Sequence, residues 1–184
     1  MHSISTISNW VDRFAGALPA GPVLDVACGG GRHLRHFRNL GHPVTGVDRD
    51  LTGVADLADS DGVELLEADL EAGAPWPFGD RRFAAVVVTN YLWRPLLPAI
   101  VAAVGPDGWL LYETFARGNE RYGRPHNPDF LLLPGELLEA VAGRLTVVAY
   151  EHGAVERPRP AVVQRIAAVR PGPTGVIEPA QIVL

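Results

Sequence analysis

The 184-residue chain has a formal net charge of −5, and up to Leu92 it carries 7 arginines against 12 acids, from Trp93 onward 9 against 9. Its length suits one domain burying roughly 70% of its unfolded surface, and the absence of a basic half argues against a dedicated nucleic-acid binder. One cysteine permits no internal disulfide, no basic start leads into an apolar run, and FAAVVV, WLLY and LTVVAY are too short to span a bilayer, so a reducing cytoplasm is expected.

Ile7, Trp10, Val11, Phe14 and Leu18 recur at helical spacing and predict an amphipathic helix over residues 5–18, with Ser5 as its cap and Pro19 as its stop. Residues 23–26 read as a strand that runs into Cys28, Gly29, Gly30 and Gly31, and a helical pattern begins at Arg32 and ends at Gly41. Strand, glycine turn and helix N-terminus form a cup whose N–H groups can meet the oxygens of a nucleotide-like ligand. A dinucleotide fingerprint asks for a small residue where Leu34 stands, which with Asp25 disfavours a nicotinamide-linked oxidoreductase. The form Asp25-Val26-Ala27-Cys28-Gly29-Gly30-Gly31 instead resembles motif I of the class I S-adenosylmethionine-dependent methyltransferases.

Residues 43–47 predict a second strand, with Asp48 at its end. This acid lies 19 residues after Gly29, the interval at which a carboxylate meets a ribose hydroxyl pair in nucleotide-binding α/β folds. Residues 50–59 read as a helix, and Gly62 precedes a third strand, 63–67, that delivers Ala68, Asp69 and Leu70. The resemblance implies that Asp69 meets the adenine amino group. It places the other cofactor contacts at Asp25, Ala27, Cys28, Gly29, Gly31, Arg49, Leu70 and Asn90, with S-adenosyl-L-methionine as cofactor and S-adenosyl-L-homocysteine as product. Cys28 itself reads as a small packing residue.

A Pro/Gly loop over 71–82 leads to the apolar run 83–89, a central parallel strand that resembles motif IV. Asn90, Tyr91, Leu92, Trp93, Arg94 and Pro95 then occupy the strand's carboxyl end, where ligands bind in open α/β sheets. A helix over 95–104, a turn over 105–108 and a strand over 109–115 follow. A helix over 134–142 precedes two strands, 145–150 and 161–169, too close for anything but an antiparallel hairpin. This alternation predicts an α/β domain. The resemblance makes it a single Rossmann-like domain over residues 1–170, with a seven-stranded, mostly parallel sheet ordered 3-2-1-4-5-7-6, the last-numbered strand antiparallel, and helices on both faces. No structure is assigned to the tail, residues 171–184.

Eighteen residues, 116–133, separate the fifth strand from the next helix, a length usually reserved for function. They carry Arg117, Arg121, Tyr122, Arg124, His126, Asn127 and Phe130. Together with Tyr112-Glu113-Thr114-Phe115 and Pro134-Gly135-Glu136-Leu137, this pattern is similar to a group of small bacterial methyltransferases often labelled tellurite-resistance-like, although members of that group carry His where Trp93 stands. Asn127-Pro128-Asp129-Phe130 imitates the motif of amino-methylating nucleic-acid enzymes, but it follows the wrong strand. Tyr91, Arg94 and His126 are the candidate catalytic residues, and Trp10, Trp93, Glu113, Arg121, Asn127 and Phe130 the candidate substrate contacts, with the N-terminal helix, residues 1–20, covering the site. His33 and His36 have no third partner in the sequence, so no metal is expected. The expected activity is methyl transfer to a small, anionic or soft-nucleophile acceptor; a non-catalytic S-adenosylmethionine-binding module and an RNA or protein methyltransferase are the alternatives. Composition and spacing leave the oligomeric state open.

Overall fold

A computed structural model describes residues 6–173, so the expected Ser5 cap and most of the tail lie outside the described residues. The elements are α1 (Asn9–Ala15), β1 (Val23–Val26), α2 (Arg32–Asn39), β2 (Val44–Asp48), β3 (Val63–Glu67), β4 (Phe83–Thr89), α3 (Leu97–Ala103), β5 (Val104–Phe115), α4 (Glu136–Val141), β6 (Thr146–Val155) and β7 (Ala161–Val169). The strands form one sheet in the order β3-β2-β1-β4-β5-β7-β6. β1 to β5 are parallel, and β7 runs antiparallel to both β5 and β6. The order reverses between β1 and β4, which opens a crevice at the strands' carboxyl ends.

β4 can be apolar along nearly its whole length because both of its faces are covered. Val86 and Val88 belong to the core beneath α3 and α4, with Ile100, Val101, Leu137 and Val141. Ala85 and Val87 belong to the opposite core, with Trp10 and Phe14 of α1 and Leu34 and Phe37 of α2. Among the described residues no helix is long and apolar enough to cross a membrane.

Several local expectations are corrected. The Ser8 side chain accepts from Trp10 N and Val11 N, so α1 begins at Asn9, and it ends at Gly16, before Pro19. Trp10 was expected over the site, yet it is 2% exposed in the core. Its indole Nε1 donates to Ile166 O at 3.2 Å, and its ring meets Phe14 edge-on at 5.0 Å. Residues 50–59 supply only a 3-10 turn, Thr52–Leu57, which Asp50 starts by accepting from Thr52 N and Oγ1. Pairing of β4 with β5 jumps from Phe83↔Val104 to Ala85↔Trp109, so residues 105–108 bulge from β5 rather than precede it. β6 passes Tyr150 because its ladder with β7 runs on to Val155↔Ala161.

Trp10→Ala should cost about 3–5 kcal/mol of stability through the cavity it leaves. Urea unfolding measures this directly, and a loss below about 1 kcal/mol would place the ring outside the core.

Candidate active site

The β1–α2 turn is built from left-handed backbone, with φ of 55° at Ala27, 52° at Gly29 and 70° at Gly31. A Cβ at Gly31 would strike the Val54 side chain, whereas one at Gly29 would meet nothing within 4 Å. The turn is therefore tight against the protein on one side and open on the other. Ala27 holds this conformation without glycine's freedom, a strain of about 1–3 kcal/mol. Cys28 is 6% exposed, and burial, aided by the charges of Asp25 and Asp48, pushes its thiol up to about 12. It packs and does not attack.

Asp48, at the end of β2, accepts from Gly29 N with Oδ2 at 2.8 Å and from Asp50 N with Oδ1 at 3.2 Å. Asp69 follows β3 and accepts from Glu71 N at 2.9 Å. Between them opens a cleft of about 400 Å³ lined by Ala27, Asp48, Arg49, Ala68, Asp69, Leu70, Glu71, Tyr91 and Phe130. A groove of about 1040 Å³ continues across the turn past Cys28, Gly29, Thr89 and Asn90. The expected cofactor residues thus border one continuous depression, except Gly31, which shapes the turn, and Asp25, which lies buried beneath it. The Tyr91 hydroxyl faces no hydrogen-bond partner among the described residues. Burial, then the carboxylates Glu71, Asp69 and Asp48, raises its pKa and keeps it a neutral donor. Sequence reasoning missed Ala68 and Glu71 as lining residues; their place on either side of Asp69-Leu70, just past a strand end, was the available signal.

Beneath the turn, Asp25 and His33 are each 1% exposed. Burial is the largest influence on both, pushing the carboxyl up to about 8 and the imidazole down to about 3. The separation of 3.9 Å from His33 Nδ1 to Asp25 Oδ2 is therefore a contact of two neutral groups near neutrality, too long for a hydrogen bond. His33 Nε2 accepts from Ser8 N at 3.4 Å, which places the ring proton on Nδ1. The Ser8 hydroxyl donates to Glu113 Oε1 at 2.9 Å, and Glu113 Oε2 pairs with Arg165 Nε at 2.6 Å. Arg32 donates to Thr6 O at 3.1 Å and to Thr89 Oγ1 at 3.3 Å. Residues 6–8 are thereby strapped across the carboxyl ends of β1, β4 and β5.

These bonds redistribute the expected catalytic and substrate roles. Glu113 is occupied by Ser8 and Arg165 and does not line the cleft. Arg94 was expected to grip the acceptor, but its Nε and Nη2 donate to Glu136 at 2.6 and 2.9 Å, Nη1 to Asp129 O at 2.6 Å and Nη2 to Leu131 O at 2.9 Å. Asn127 caps a 3-10 turn, Pro128–Phe130, by accepting from Asp129 N. Arg121 and His126 are exposed outside the cleft lining, and Trp93 packs half-buried against the core. Of this set Tyr91 and Phe130 reach the cleft. Glu136 stands in the Pro134-Gly135-Glu136-Leu137 stretch of the family-like pattern, but its pairing with Arg94 went unread because the two lie 42 residues apart.

Residues 23–108 match the methyltransferase domain family. The chain is 34% identical over 134 residues to the ubiquinone biosynthesis O-methyltransferase of Burkholderia thailandensis, covering 66% of this chain and 56% of that protein. The chain thus spans little more than half the length of the curated relatives it matches. Among solved structures, TehB from Haemophilus influenzae superposes with a TM-score of 0.70 at 19% identity, covering 89% of this chain and 62% of that one. The Burkholderia thailandensis 1,6-didemethyltoxoflavin-N1-methyltransferase, solved with bound S-adenosylhomocysteine, superposes with a TM-score of 0.64 at 23% identity over 88% of this chain and 76% of that one. The fold is the one these two solved structures share. The match to the domain family spans a little under half of the chain. The site's residues fit S-adenosylmethionine: the turn opens at Gly29, acids stand at the ends of β2 and β3, and the hydroxyl of Tyr91, a cleft residue, lacks a partner among the described residues.

The Asp25 carboxyl, ordinarily at 3.8, holds its proton up to about 8 in the folded chain, so its contribution to stability is complete below pH 3.8 and is lost as pH climbs through 8. His33, lowered from 6.5 to about 3, works the other way: its penalty grows as pH falls below 6.5 and vanishes above it. Between pH 6.5 and 8, of these two groups Asp25 alone acts. Stability should fall there by up to about 1.4 kcal/mol per pH unit, and Asp25→Asn should remove that slope. Urea unfolding across this window checks it; identical slopes in the two proteins would show Asp25 already ionised.

Proposed function

We propose that the protein transfers the methyl group of S-adenosylmethionine to a small-molecule acceptor in the bacterial cytoplasm, from one domain spanning residues 1–170. The observation that carries this reading is the open glycine turn flanked by the carboxylates Asp48 and Asp69, in a cleft that also holds Glu71. A cleft with this excess of carboxylates suits a donor that carries both a sulfonium and an ammonium charge. When bound, that donor supplies a methyl group already activated on sulfur. The turn at Gly29 and Gly31 receives its amino-acid part, Asp48 its ribose, and Asp69 with Leu70 its adenine. Asn90, at the end of β4 with φ 55°, borders the groove on the acceptor side, and the loop 116–133 shapes the acceptor's entry.

Among the described residues no histidine lines the cleft or the groove, Glu113 is tied to Arg165, and Tyr91 is held neutral. These features support an acceptor that arrives as a soft or already anionic nucleophile, for which orientation supplies most of the acceleration. The O- and N-methyltransferases among the similar proteins act on small molecules by their names, which favours that class over RNA or protein.

Calorimetric titration should give micromolar binding of S-adenosylhomocysteine and none of NAD; NAD binding alone would defeat the reading. Labelled methyl should then pass to a member of a panel of thiols, phenols, selenite, tellurite and carboxylic acids, whereas binding without any transfer would favour a non-catalytic module. Asp48→Ala should weaken S-adenosylhomocysteine by about 1–3 kcal/mol, roughly tenfold to a hundredfold, and an unchanged affinity would remove Asp48 from the site.

A further inference from the structure

We infer that Phe130 is the ring that closes the adenine end of the cleft, and that Arg94 is the residue that positions it; this rests on the cofactor reading above. The loop carrying Phe130 is closed at its base, where Leu132 N donates to Phe115 O and Arg117 N to Leu132 O, both at 3.0 Å. Its far limb is gripped by Arg94. The guanidinium donates to the carbonyls of Asp129 and Leu131, on either side of Phe130, while Glu136 holds the same guanidinium from behind. Glu136 Oε2 also accepts from Leu133 N at 2.8 Å, fixing the limb where it enters α4. Two of the fork's four bonds therefore set the backbone that carries a single side chain, and the two to Glu136 hold the fork itself.

That side chain gains little from the fold. Phe130 remains 43% exposed, and it lines the same cleft as Asp69 and Leu70. A phenyl ring held firmly and left uncovered is explained if a ligand completes its burial. The ligand chemistry that fits is a flat ring with an apolar face for Phe130 and Leu70 and an amine edge for Asp69, the description of adenine. Arg94 lies three residues after Tyr91, so one segment after β4 supplies both a cleft wall and the clamp for its cover. Arg94 touches no substrate in this scheme. It acts through Phe130.

The test is calorimetric titration of S-adenosylhomocysteine into the wild type, Phe130→Ala, Arg94→Gln and the double variant. Each single change should weaken binding by roughly tenfold, the size of a lost ring stack on a base. The double variant should be no weaker than the poorer single variant, because both remove the same contact. Phe130→Trp should retain affinity, and Phe130→Ala should leave the melting temperature unchanged, which a purely structural role would not give. Arg94→Gln should expose Arg117 and Arg121 to trypsin in the free protein. Wild-type affinity in Phe130→Ala, or fully additive losses in the double variant, would overturn the inference while leaving the cofactor reading intact. Failure of the wild type to bind S-adenosylhomocysteine at all would instead overturn the cofactor reading and this inference with it.

Discussion

The hydrogen bond from Gly29 N to Asp48 Oδ2, 2.8 Å long, is the constraint on which the site depends. The chain must leave β1, reverse, and enter α2 with its first N–H groups turned outward, and three left-handed residues leave that turn little intrinsic preference for one shape. The sheet supplies the missing restraint. β1 and β2 pair in parallel register through Val26↔Val47, and Cys28 N continues the ladder to Val47 O at 3.1 Å. Asp48, the next residue, thus arrives beside Gly29 by register alone, and a bond to its carboxylate is stronger than one to a neutral acceptor. Its second oxygen meets Asp50 N, so the same side chain orders the start of the following 3-10 turn, from which Val54 closes against Gly31.

Below the turn the interior is unusually polar for a sheet face. Asp25, His33 and Ser8 are buried, and the line runs on through Glu113 to Arg165. Burial outweighs the one favourable neighbour of the Asp25 carboxylate, the Arg32 charge, while the same charge opposes ionisation of His33; keeping both groups neutral avoids the cost of burying them charged. The charged end of the line, Glu113 with Arg165, lies where solvent begins to reach it. Ser8 joins the two regimes, because its amide serves His33 and its hydroxyl serves both Glu113 and the first N–H groups of α1. The N-terminal helix is therefore docked by polar bonds at its start and by Trp10 and Phe14 along its face.

What could be read from the sequence divides along the range of the interactions. The bounds of β3, β4 and β7 follow from apolar runs and flanking turn residues, and the structure returns Val63–Glu67, Phe83–Thr89 and Ala161–Val169 as expected. The glycine turn and the placement of Asp48 and Asp69 beside the cleft were legible because strand, turn and acid are close in sequence. Ser5 and Ser8 both satisfy the local rule for a cap, and only the distant partners His33 and Glu113 distinguish them. Trp10 at helical spacing fits a core, the commoner case, as well as a roof; the Ile166 carbonyl, far along the chain, decides for the core. Arg94 and Glu113 read as free charged groups at strand ends, since neither Glu136 nor Arg165 is marked as a partner by spacing.

The same division separates the two halves of the site. The matched methyltransferase domain ends at Gly108, so it contains β1 to β4 and the acids that frame the cleft but neither the loop with Phe130 nor α4 with Glu136. The cleft residues at the ends of β2 and β3 are positioned by the parallel ladder. The outer limb of the 116–133 loop has no ladder of its own beyond the single bridge between Ala116 and Leu132, and a side chain from the matched region, Arg94, substitutes for one by binding its carbonyls. The connection is also pinned at Asn119, whose Nδ2 donates to Pro125 O at 2.9 Å and whose Oδ1 accepts from Val162 N of β7 at 3.2 Å, so it is tied to the sheet at separate points rather than along a ladder. The 116–133 loop is thus held at separate points, whereas the glycine turn is held by the continuous ladder of β1 and β2.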